Sequence, residues 1–397
     1  MDTHYDILIL GGGTAGLTVA SQLADRIGGH HIGIVEPSSK HYYQPLWTLV
    51  GGGIFPREES ARDEADLIPD AATWIRDAVA AVDPAKRSVA TTSGGTLTYD
   101  FLVVAPGVVQ QWAKIPGLVE SVGKPGTGVT SNYSYETVAS TWEAIRSFRG
   151  GTALFTEPLT PVKCGGAPQK IMYLAEEAFR ANGVRDKSRV VFMNAKPTLF
   201  TAPYYIPALE RVIKSRGMEV QLGQELVALR PAAREAVFRD VKTGTEQVMR
   251  YDMIHVTPPL SPPDFVRAGA LANSDGWVEV DRFSLQHVRF PDVFGLGDAS
   301  NLPTSKTGAA VRKQAPVVVE NLLALRAGHP LTARYDGYTS CPVVTGRGKL
   351  IMAEFNYAKE PVETFPVDQR VERFSMYALK AYMLPRLYWH GMLRGRA

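Results

Sequence analysis

Residues 5–16 read YDILILGGGTAG, an apolar run that leads directly into a cluster of glycines. The apolar part, Tyr5 to Leu10, has the composition of a buried parallel strand, and a stretch with helical periodicity follows the glycines. Gly11 allows a tight turn, Gly13 lets the backbone approach a pyrophosphate, and Gly16 lets the helix pack closely on the strand. The free amide groups at the start of such a helix bind phosphate. This segment therefore predicts the first strand, turn and helix of a dinucleotide-binding domain.

The acid that follows the second predicted strand strengthens this interpretation. The first helix is expected to end at about Arg26, and a second strand from His31 to Val35 leads into Glu36. Glu36 lies twenty residues beyond Gly16, where dinucleotide-binding domains place the acid that accepts hydrogen bonds from the adenosine ribose. A chance cluster of glycines is the alternative, and the strand, helix and acid in register argue against it.

Two later segments indicate that the dinucleotide is FAD rather than NAD. Residues 99–107, YDFLVVAPG, and residues 291–298, PDVFGLGD, each have the pattern of a strand that ends in a glycine turn. Either segment alone is compatible with an ordinary β-turn. Together with the first turn, they resemble the flavin-binding pattern of flavoproteins that have two dinucleotide-binding domains, and the three segments occur in the same order along the chain. In that pattern the final aspartate, here Asp298, hydrogen-bonds the ribityl chain.

Flavoproteins of this kind usually carry a second glycine fingerprint near mid-chain for NAD(P)H, and this sequence lacks it. The expected strand, Thr152 to Phe155, is present, but residues 156–170 continue as TEPLTPVKCGGAPQK. No G-x-G-x-x-G follows the strand, prolines stiffen the turn, and a cysteine occupies the position. We therefore expect a second dinucleotide-like domain without an NAD(P) site, and nicotinamide as neither electron donor nor acceptor.

The chain contains two cysteines, Cys164 and Cys341, and both are predicted to lie in loop-like segments rather than on apolar faces. Cys164 precedes a predicted helix, whose N-terminus together with the neighbouring Lys163 favours a thiolate over a thiol. A buried and inert cysteine is the alternative, and the two glycines that follow argue for open backbone. Cys341 is expected in a turn between an irregular segment and a strand.

Composition excludes several other classes of protein. With 43 basic and 40 acidic residues, the net charge of +3 is too small to indicate nucleic-acid binding. Two cysteines exclude a disulfide scaffold, and no Cys or His pattern has the spacing of a metal site. The chain does not open with a charged segment followed by an apolar one, so we expect no signal peptide. No apolar run reaches the roughly 18 residues of a membrane-spanning helix.

The most specific segments resemble the sulfide:quinone oxidoreductases, in particular the branch that includes the mitochondrial enzyme. They are PVKCGGAPQKIMYLAE at 161–176, HVTPPLSPPD at 255–264, GLGDASNLPTSKT at 295–307 and YDGYTSCPVVTG at 335–346. The resemblance covers nearly the whole chain. It implies an α/β fold with two Rossmann-like dinucleotide-binding domains, similar to glutathione reductase, and a C-terminal membrane-facing region. Some bacterial branches have a third active-site cysteine, and its absence here favours the two-cysteine branch.

The resemblance also implies domain limits and cofactor contacts. Residues 1–110 begin the FAD domain, 111–285 form the second domain with Cys164, 286–335 return to the FAD domain, and 336–397 form a C-terminal region with Cys341 and an amphipathic tail. The FAD contacts of the family correspond in this sequence to Gly11, Gly13, Gly16, Glu36, Gln44, Val79, Gly107, Asp298 and Lys306.

In this family the two cysteines flank the flavin and form a reducible bridge, which implies the reaction. Hydrogen sulfide enters as hydrosulfide, a soft nucleophile that attacks Cys341, which becomes a persulfide, while Cys164 leaves as a thiolate. A small-molecule sulfur acceptor (sulfite, a thiol or sulfide) then takes the sulfane sulfur, and the bridge re-forms. Two electrons pass through FAD to a membrane quinone of a respiratory chain.

The last segment, from Ser375 to Arg394, is aromatic, basic and amphipathic. Such a segment suits an anionic membrane surface, and packing on the protein body is an equally open alternative. Lys380 aligns with a family lysine placed near the quinone, and it is predicted to donate a proton or a hydrogen bond. We expect a peripheral protein on the cytoplasmic face of a bacterial plasma membrane. Anchoring weaker than in relatives is expected, because the sequence ends at Ala397.

Two other functions are left open. A flavocytochrome-like sulfide dehydrogenase would pass the electrons to a cytochrome, but such relatives are exported, and the missing signal peptide argues against it. A flavin-bound thiol redox sensor would need neither turnover nor a quinone site. The presence of both cysteines and of Lys380 favours the enzyme.

Overall fold

The computed structural model describes residues 3–27 and 31–396. The N-terminal part of the chain forms β1 (His4–Leu10), α1 (Thr14–Ile27), β2 (Ile32–Val35), β3 (Lys40–Tyr42), α2 (Trp47–Gly51), β4 (Ala61–Asp63), β5 (Ala72–Ile75), β6 (Val79–Asp83), β7 (Ser88–Thr91), β8 (Thr96–Val104), β9 (Val109–Gln110) and β10 (Val129–Thr130). The middle part forms α3 (Val138–Ser147), β11 (Gly151–Glu157), α4 (Ala167–Ala181), β12 (Ser188–Asn194), α5 (Ile206–Ser215), β13 (Glu219–Leu222), β14 (Gln224–Arg230), β15 (Glu235–Asp240), β16 (Glu246–Arg250), β17 (Met253–His255), β18 (Leu260–Ser261) and α6 (Asp264–Arg267). The C-terminal part forms β19 (Val293–Gly295), α7 (Gly308–Arg326), β20 (Thr339–Gly346), β21 (Lys349–Phe355), α8 (Phe374–Ala378) and α9 (Leu384–His390), and a π-helical turn (Leu379–Met383) joins the last two helices.

The first sheet brings three predicted turns to one edge. Its strands lie in the order β5-β2-β1-β8-β7-β6, and β19 pairs with β8. The first four of these strands and β19 run parallel, with Leu10 opposite both Val35 and Val104. The carboxyl ends of parallel strands meet at the same edge of a sheet. The glycine turn after β1, Glu36 after β2 and the turns after β8 and β19 therefore lie together.

The second sheet keeps the architecture of a dinucleotide-binding domain. Its strands lie in the order β10-β17-β11-β12-β13, and all of the pairs are parallel. Helix α4 follows β11 as in a βαβ unit, and Pro168 lies in its first turn as the sequence predicted. The segment between β11 and α4 is the one that carries Cys164.

A two-stranded ribbon, β20 with β21, holds the other cysteine, and here the sequence-based expectation was wrong. Cys341 lies within β20, opposite Ala353 of β21, and its side chain is fully buried beside Val343 and Ile351 in an apolar core. Pairing with β21 extends the strand through the residues predicted as a turn. Because side chains alternate along a strand, Cys341 and Val343 point to the same apolar side.

The C-terminal segment packs on the protein body with one face and exposes the other. Tyr388 and Trp389 are buried in the core that also contains α1, and the Ser21 hydroxyl of α1 donates a 2.8 Å hydrogen bond to the Leu393 carbonyl. Tyr382 and Met383 are 51% and 62% exposed. Packing on the protein body is therefore confirmed for one face of this segment, and the membrane contact of the exposed face stays a prediction. Among residues 3–27 and 31–396, no helix is long and apolar enough to cross a membrane.

Candidate active site

A cavity of about 570 Å³ lies at the edge where the strands of the first sheet end. Its lining comes from the glycine turn, from the segment around Cys164, from the start of α7, from the β20–β21 ribbon and from the C-terminal helices. Eight of the predicted site residues line it: Gly13, Glu36, Gln44, Gly107, Cys164, Asp298, Lys306 and Lys380. This volume is within the range of a typical cofactor site.

The glycines of the first turn have the environments that the motif requires. Gly11 has a φ of +104°, and a Cβ there would lie 2.5 Å from the carbonyl oxygen of Ala105. A Cβ at Gly16 would lie 1.9 Å from the carbonyl oxygen of Gly11, so only glycine lets α1 pack this closely on the strand. A Cβ at Gly13 or Gly107 would meet open space at the cavity. The turn therefore fits a dinucleotide whose phosphates approach the backbone.

Glu36 occupies the position of the ribose-binding acid. Its carboxylate accepts hydrogen bonds from the backbone N–H of Gly12 at 2.8 Å and of Ser38 at 2.7 Å. Burial raises the pKa of the Glu36 carboxyl, and these backbone bonds oppose the shift. Each carboxylate oxygen can accept a second bond, so Glu36 retains acceptor capacity for a ribose hydroxyl. Val79, another predicted contact, begins β6 and lies outside the cavity lining.

An acid and two lysines lie where the flavin end of the dinucleotide is predicted. Burial raises the pKa of Asp298, although the charges of Lys306 and Lys163 oppose the shift. Burial also lowers the pKa of each of these lysines to about 8. Lys306 donates a 3.0 Å hydrogen bond to the carbonyl of Ser300, and Lys163 donates one of 2.7 Å to Gln44 Oε1. The charges of Asp298 and Lys306 therefore act on each other, while hydrogen bonds to Ser300 and Gln44 hold the two lysines.

The two cysteines meet beside this group. Cys164 Sγ and Cys341 Sγ are 3.0 Å apart, a hydrogen-bonding contact between two free thiols. Cys164 has a φ of +54°, a left-handed conformation that is strained for a residue other than glycine and clusters at functional sites. A hydrogen bond of 2.8 Å from its N–H to the carbonyl of Lys306 holds it there. A Cβ at Gly166 would lie 2.7 Å from Cys341 Sγ, so glycine leaves the space for the sulfur.

Lys170, which the sequence analysis missed, is the cation that contacts the thiols. It lies in the first turns of α4, is 4% exposed, and its ammonium donates a 3.0 Å hydrogen bond to Cys164 Sγ. The Cys341 thiol and then the Lys170 charge hold the pKa of Cys164 well below its usual value. The same contact with Cys164, together with burial, raises the pKa of Cys341. The contact with Lys170 thus favours the thiolate at Cys164, and Lys163, which sequence analysis assigned to it, contacts Gln44 instead.

Comparison with known proteins identifies the family. Residues 5–144 match the family model described as pyridine nucleotide-disulphide oxidoreductase. Over 393 residues the chain is 46% identical to the mitochondrial sulfide:quinone oxidoreductase of Mus musculus, covering 99% of this chain and 87% of the mouse protein. The corresponding protein of Dictyostelium discoideum is 48% identical over 98% of this chain and 86% of its own length. The chain belongs to the sulfide:quinone oxidoreductase family.

A solved structure shows the same fold at lower sequence identity. The crystal structure of the sulfide:quinone oxidoreductase from Aquifex aeolicus superposes with a TM-score of 0.82 at 19% identity, over 99% of this chain and 92% of that one. The predicted α/β fold with two Rossmann-like domains is confirmed. Membership in this family places the chain among the flavoprotein oxidoreductases.

Lys380 is the predicted quinone residue of this sulfide:quinone oxidoreductase family member. It lies on the π-helical turn, is 4% exposed, and donates a 2.8 Å hydrogen bond to the carbonyl of Pro45. Burial and then the charge of Lys170 lower the pKa of Lys380 to about 7. A group that titrates near neutral pH is suited to donate and accept protons. Lys380 lines the same cavity as Cys164.

The tail forms part of the wall of this cavity, which the amphipathic pattern alone did not reveal. Leu384 and Tyr388 line the cavity together with Lys380. The Tyr388 hydroxyl forms a 2.8 Å hydrogen bond with Thr14 Oγ1, at the start of the helix that is predicted to receive the pyrophosphate. The pair Tyr388-Trp389, which eight residues follow in the sequence, is the signal for such docking, since buried tyrosine requires a hydrogen-bond partner.

Proposed function

We propose that this protein oxidises hydrogen sulfide at Cys164 and Cys341 and passes two electrons through FAD to a membrane quinone. The observation that supports this proposal most directly is the thiol pair, whose sulfur atoms are 3.0 Å apart. Cys164 lines a cavity that Asp298 and Lys380 also line. The similarity to sulfide:quinone oxidoreductases over nearly the full chain supports the same activity. The residues proposed to hold FAD are Gly11, Gly13, Gly16, Glu36, Gln44, Val79, Gly107, Asp298 and Lys306.

The chain's own residues account for the sulfur chemistry. Hydrosulfide attacks Cys341 Sγ of the bridged pair, the sulfur–sulfur bond breaks, and Cys164 leaves as a thiolate. Lys170 stabilises that thiolate through the hydrogen bond already present at 3.0 Å. A nucleophilic acceptor then removes the outer sulfur from Cys341, and the bridge re-forms from the two thiols with release of two electrons. When bound, FAD accepts these electrons and passes them to the quinone.

An anionic sulfur acceptor is favoured by the lysine beside the thiols. Five lysines line the cavity, namely Lys40, Lys163, Lys170, Lys306 and Lys380, and Lys170 contacts Cys164 Sγ. Buried cations attract small anions such as sulfite, a thiolate or hydrosulfide. A cytochrome acceptor or a redox sensor without turnover has no comparable observation in its favour.

The experiment that tests this function is anaerobic titration with sulfide while the flavin absorbance is followed. The purified protein is expected to be yellow with one FAD per chain, and to be reduced by sulfide. NADH is expected to reduce it far more slowly, because the turn after β11 carries Cys164 and lacks the glycines of a nucleotide site. Reduction by NADH at a rate comparable to that with sulfide would contradict the proposal.

We also propose that the exposed face of the C-terminal segment lies on the membrane. Phe374, Tyr382 and Met383 are 69%, 51% and 62% exposed, and aromatic side chains next to basic ones suit an anionic interface. We propose, as sequence analysis predicts, that this surface is the cytoplasmic face of a bacterial plasma membrane. The relatives from Mus musculus and Dictyostelium discoideum are mitochondrial proteins.

Replacing these three side chains with Ser is expected to weaken binding to anionic vesicles by about tenfold or more, because each loses buried apolar area. Reduction of the flavin by sulfide should remain unchanged, and turnover with quinone in vesicles should fall. Vesicle sedimentation and stopped-flow absorbance measure the two effects. Val288→Ser, at a side chain that is 55% exposed and distant in sequence from this segment, is the matched control. Equal vesicle binding by the triple variant and the control would contradict the assignment.

A further inference from the structure

Glu64 is a buried acid in the cofactor cavity that neither the family resemblance nor the mechanism uses. It follows β4, is 1% exposed, and lines the cavity. Its Oε2 lies 3.2 Å from His41 Nδ1. Its Oε1 has no hydrogen-bond partner among residues 3–27 and 31–396. A buried carboxylate oxygen without a donor is costly, so this atom indicates a ligand that brings one.

The neighbours of Glu64 place this oxygen at the glycine turn. A Cβ at Gly12 would lie 2.4 Å from Glu64 Oε1 and 2.8 Å from the Cγ of Glu36. The two carboxylates therefore flank Gly12, whose N–H already donates to Glu36. Since Glu36 occupies the position of the ribose-binding acid, Glu64 lies at the adenosine end of the site.

The side chain of Glu64 lies against His41, which is itself held by hydrogen bonds. His41 Nδ1 lies 3.1 Å from the carbonyl of Gly12 as well as close to Glu64. His41 Nε2 bonds the Tyr388 hydroxyl, which in turn bonds Thr14. Oε2 of Glu64 thus lies against His41, and the unpartnered Oε1 lies on the Gly12 side, in the lining of the cavity.

We propose that Glu64 Oε1 accepts a hydrogen bond from a ribose hydroxyl of the bound dinucleotide, as a second acid beside Glu36. A ribose hydroxyl is a donor, whereas a phosphate offers only acceptors and would be repelled by the carboxylate. Glu64 is thus a binding residue for the adenosine half of the cofactor. The inference rests on the proposed FAD site.

The test is an exchange experiment on the full-length flavoprotein. The protein is incubated with FAD and an FAD analogue that lacks the 2′- or the 3′-hydroxyl of the adenosine ribose, and the bound ratio is measured by mass spectrometry. The wild type should prefer FAD over the analogue that lacks the hydroxyl bonded by Glu64. In Glu64→Leu, this ratio of bound FAD to bound analogue is expected to be about tenfold smaller. Glu64→Gln, which keeps a neutral acceptor and serves if the Leu variant does not fold, should reduce the preference by about threefold.

Glu58→Leu is the matched control, because its side chain is 69% exposed; its ratios should equal those of the wild type. If the Glu64 variants bind FAD and both analogues in the same ratios as the wild type, this inference is wrong, while the proposed FAD site is unaffected. A purified wild type that contains no FAD would overturn the proposed function, and the inference with it.

Discussion

Serine in place of Cys341 is expected to reduce sulfide-dependent quinone reduction by roughly 10³-fold or more, because the atom that hydrosulfide attacks is gone. Cys164→Ser is expected to have an effect of the same order, since no bridge can form. The flavin should stay bound in both variants, because neither sulfur belongs to the glycine turn or to the group around Asp298. Stopped-flow absorbance with sulfide and the flavin content of the purified variants measure these outcomes.

The two variants should also differ in the thiol that remains. Cys341 is the first cause of the low pKa of Cys164, and a serine hydroxyl at 341 can still donate a hydrogen bond to that thiolate. Cys341→Ala removes the donor, so alkylation of Cys164 should shift to higher pH in the Ala variant than in the Ser variant. Turnover near the wild-type rate in any of these variants would refute a mechanism that needs both sulfurs.

Local motifs alone carry the prediction of the cofactor end of the site. The spacing of Gly11, Gly13 and Gly16 depends only on contacts within one strand, turn and helix, so the sequence contains all of the information. Glu36 and Asp298 were predictable because each follows a strand of a parallel sheet, and the carboxyl ends of such strands meet. The structure places Gly13, Glu36 and Asp298 around one cavity.

The sulfur end could not be predicted in the same way, because it depends on pairing between distant segments. Cys341 is buried because β20 pairs with β21, and the residues around position 341 do not predict that pairing. Lys163 was preferred over Lys170 because it is adjacent in sequence to Cys164. The left-handed backbone at Cys164 and the turn into α4 instead direct Lys170 to the sulfur, and sequence distance does not reveal such a contact.

The amphipathic pattern of the tail did not show which of its residues pack on the protein and which stay exposed. Its amphipathic sequence fits both a membrane surface and a protein core, and the structure buries one face in the core and leaves the other exposed. Because Tyr388 hydrogen-bonds Thr14, removal of the whole segment would open the cofactor cavity as well as remove the exposed apolar face. Point substitutions on the exposed face therefore separate the two roles where truncation cannot.

Methionine in place of Lys170 is expected to slow flavin reduction by sulfide by roughly tenfold to a hundredfold at pH 7. An adjacent opposite charge lowers a pKa by about 1 to 3 units, and Lys170 contacts Cys164 Sγ at 3.0 Å. Without it the pKa of Cys164 rises, Cys164 becomes a poorer leaving group, and the pH profile of the sulfide reaction moves to higher pH. Methionine retains an unbranched apolar side chain, so the packing of α4 should persist.

The same substitution should act on Lys380 in a second, independent measurement. The charge of Lys170 is one cause of the lowered pKa of Lys380, after burial, so its removal raises that pKa. A group whose pKa rises stays protonated to higher pH, and the pH dependence of flavin reoxidation by quinone should therefore shift upward in Lys170→Met. Lys214→Met, on the exposed side of α5, should leave both profiles in place. A variant with slower sulfide reduction but unshifted profiles would show that Lys170 acts through packing rather than through its charge.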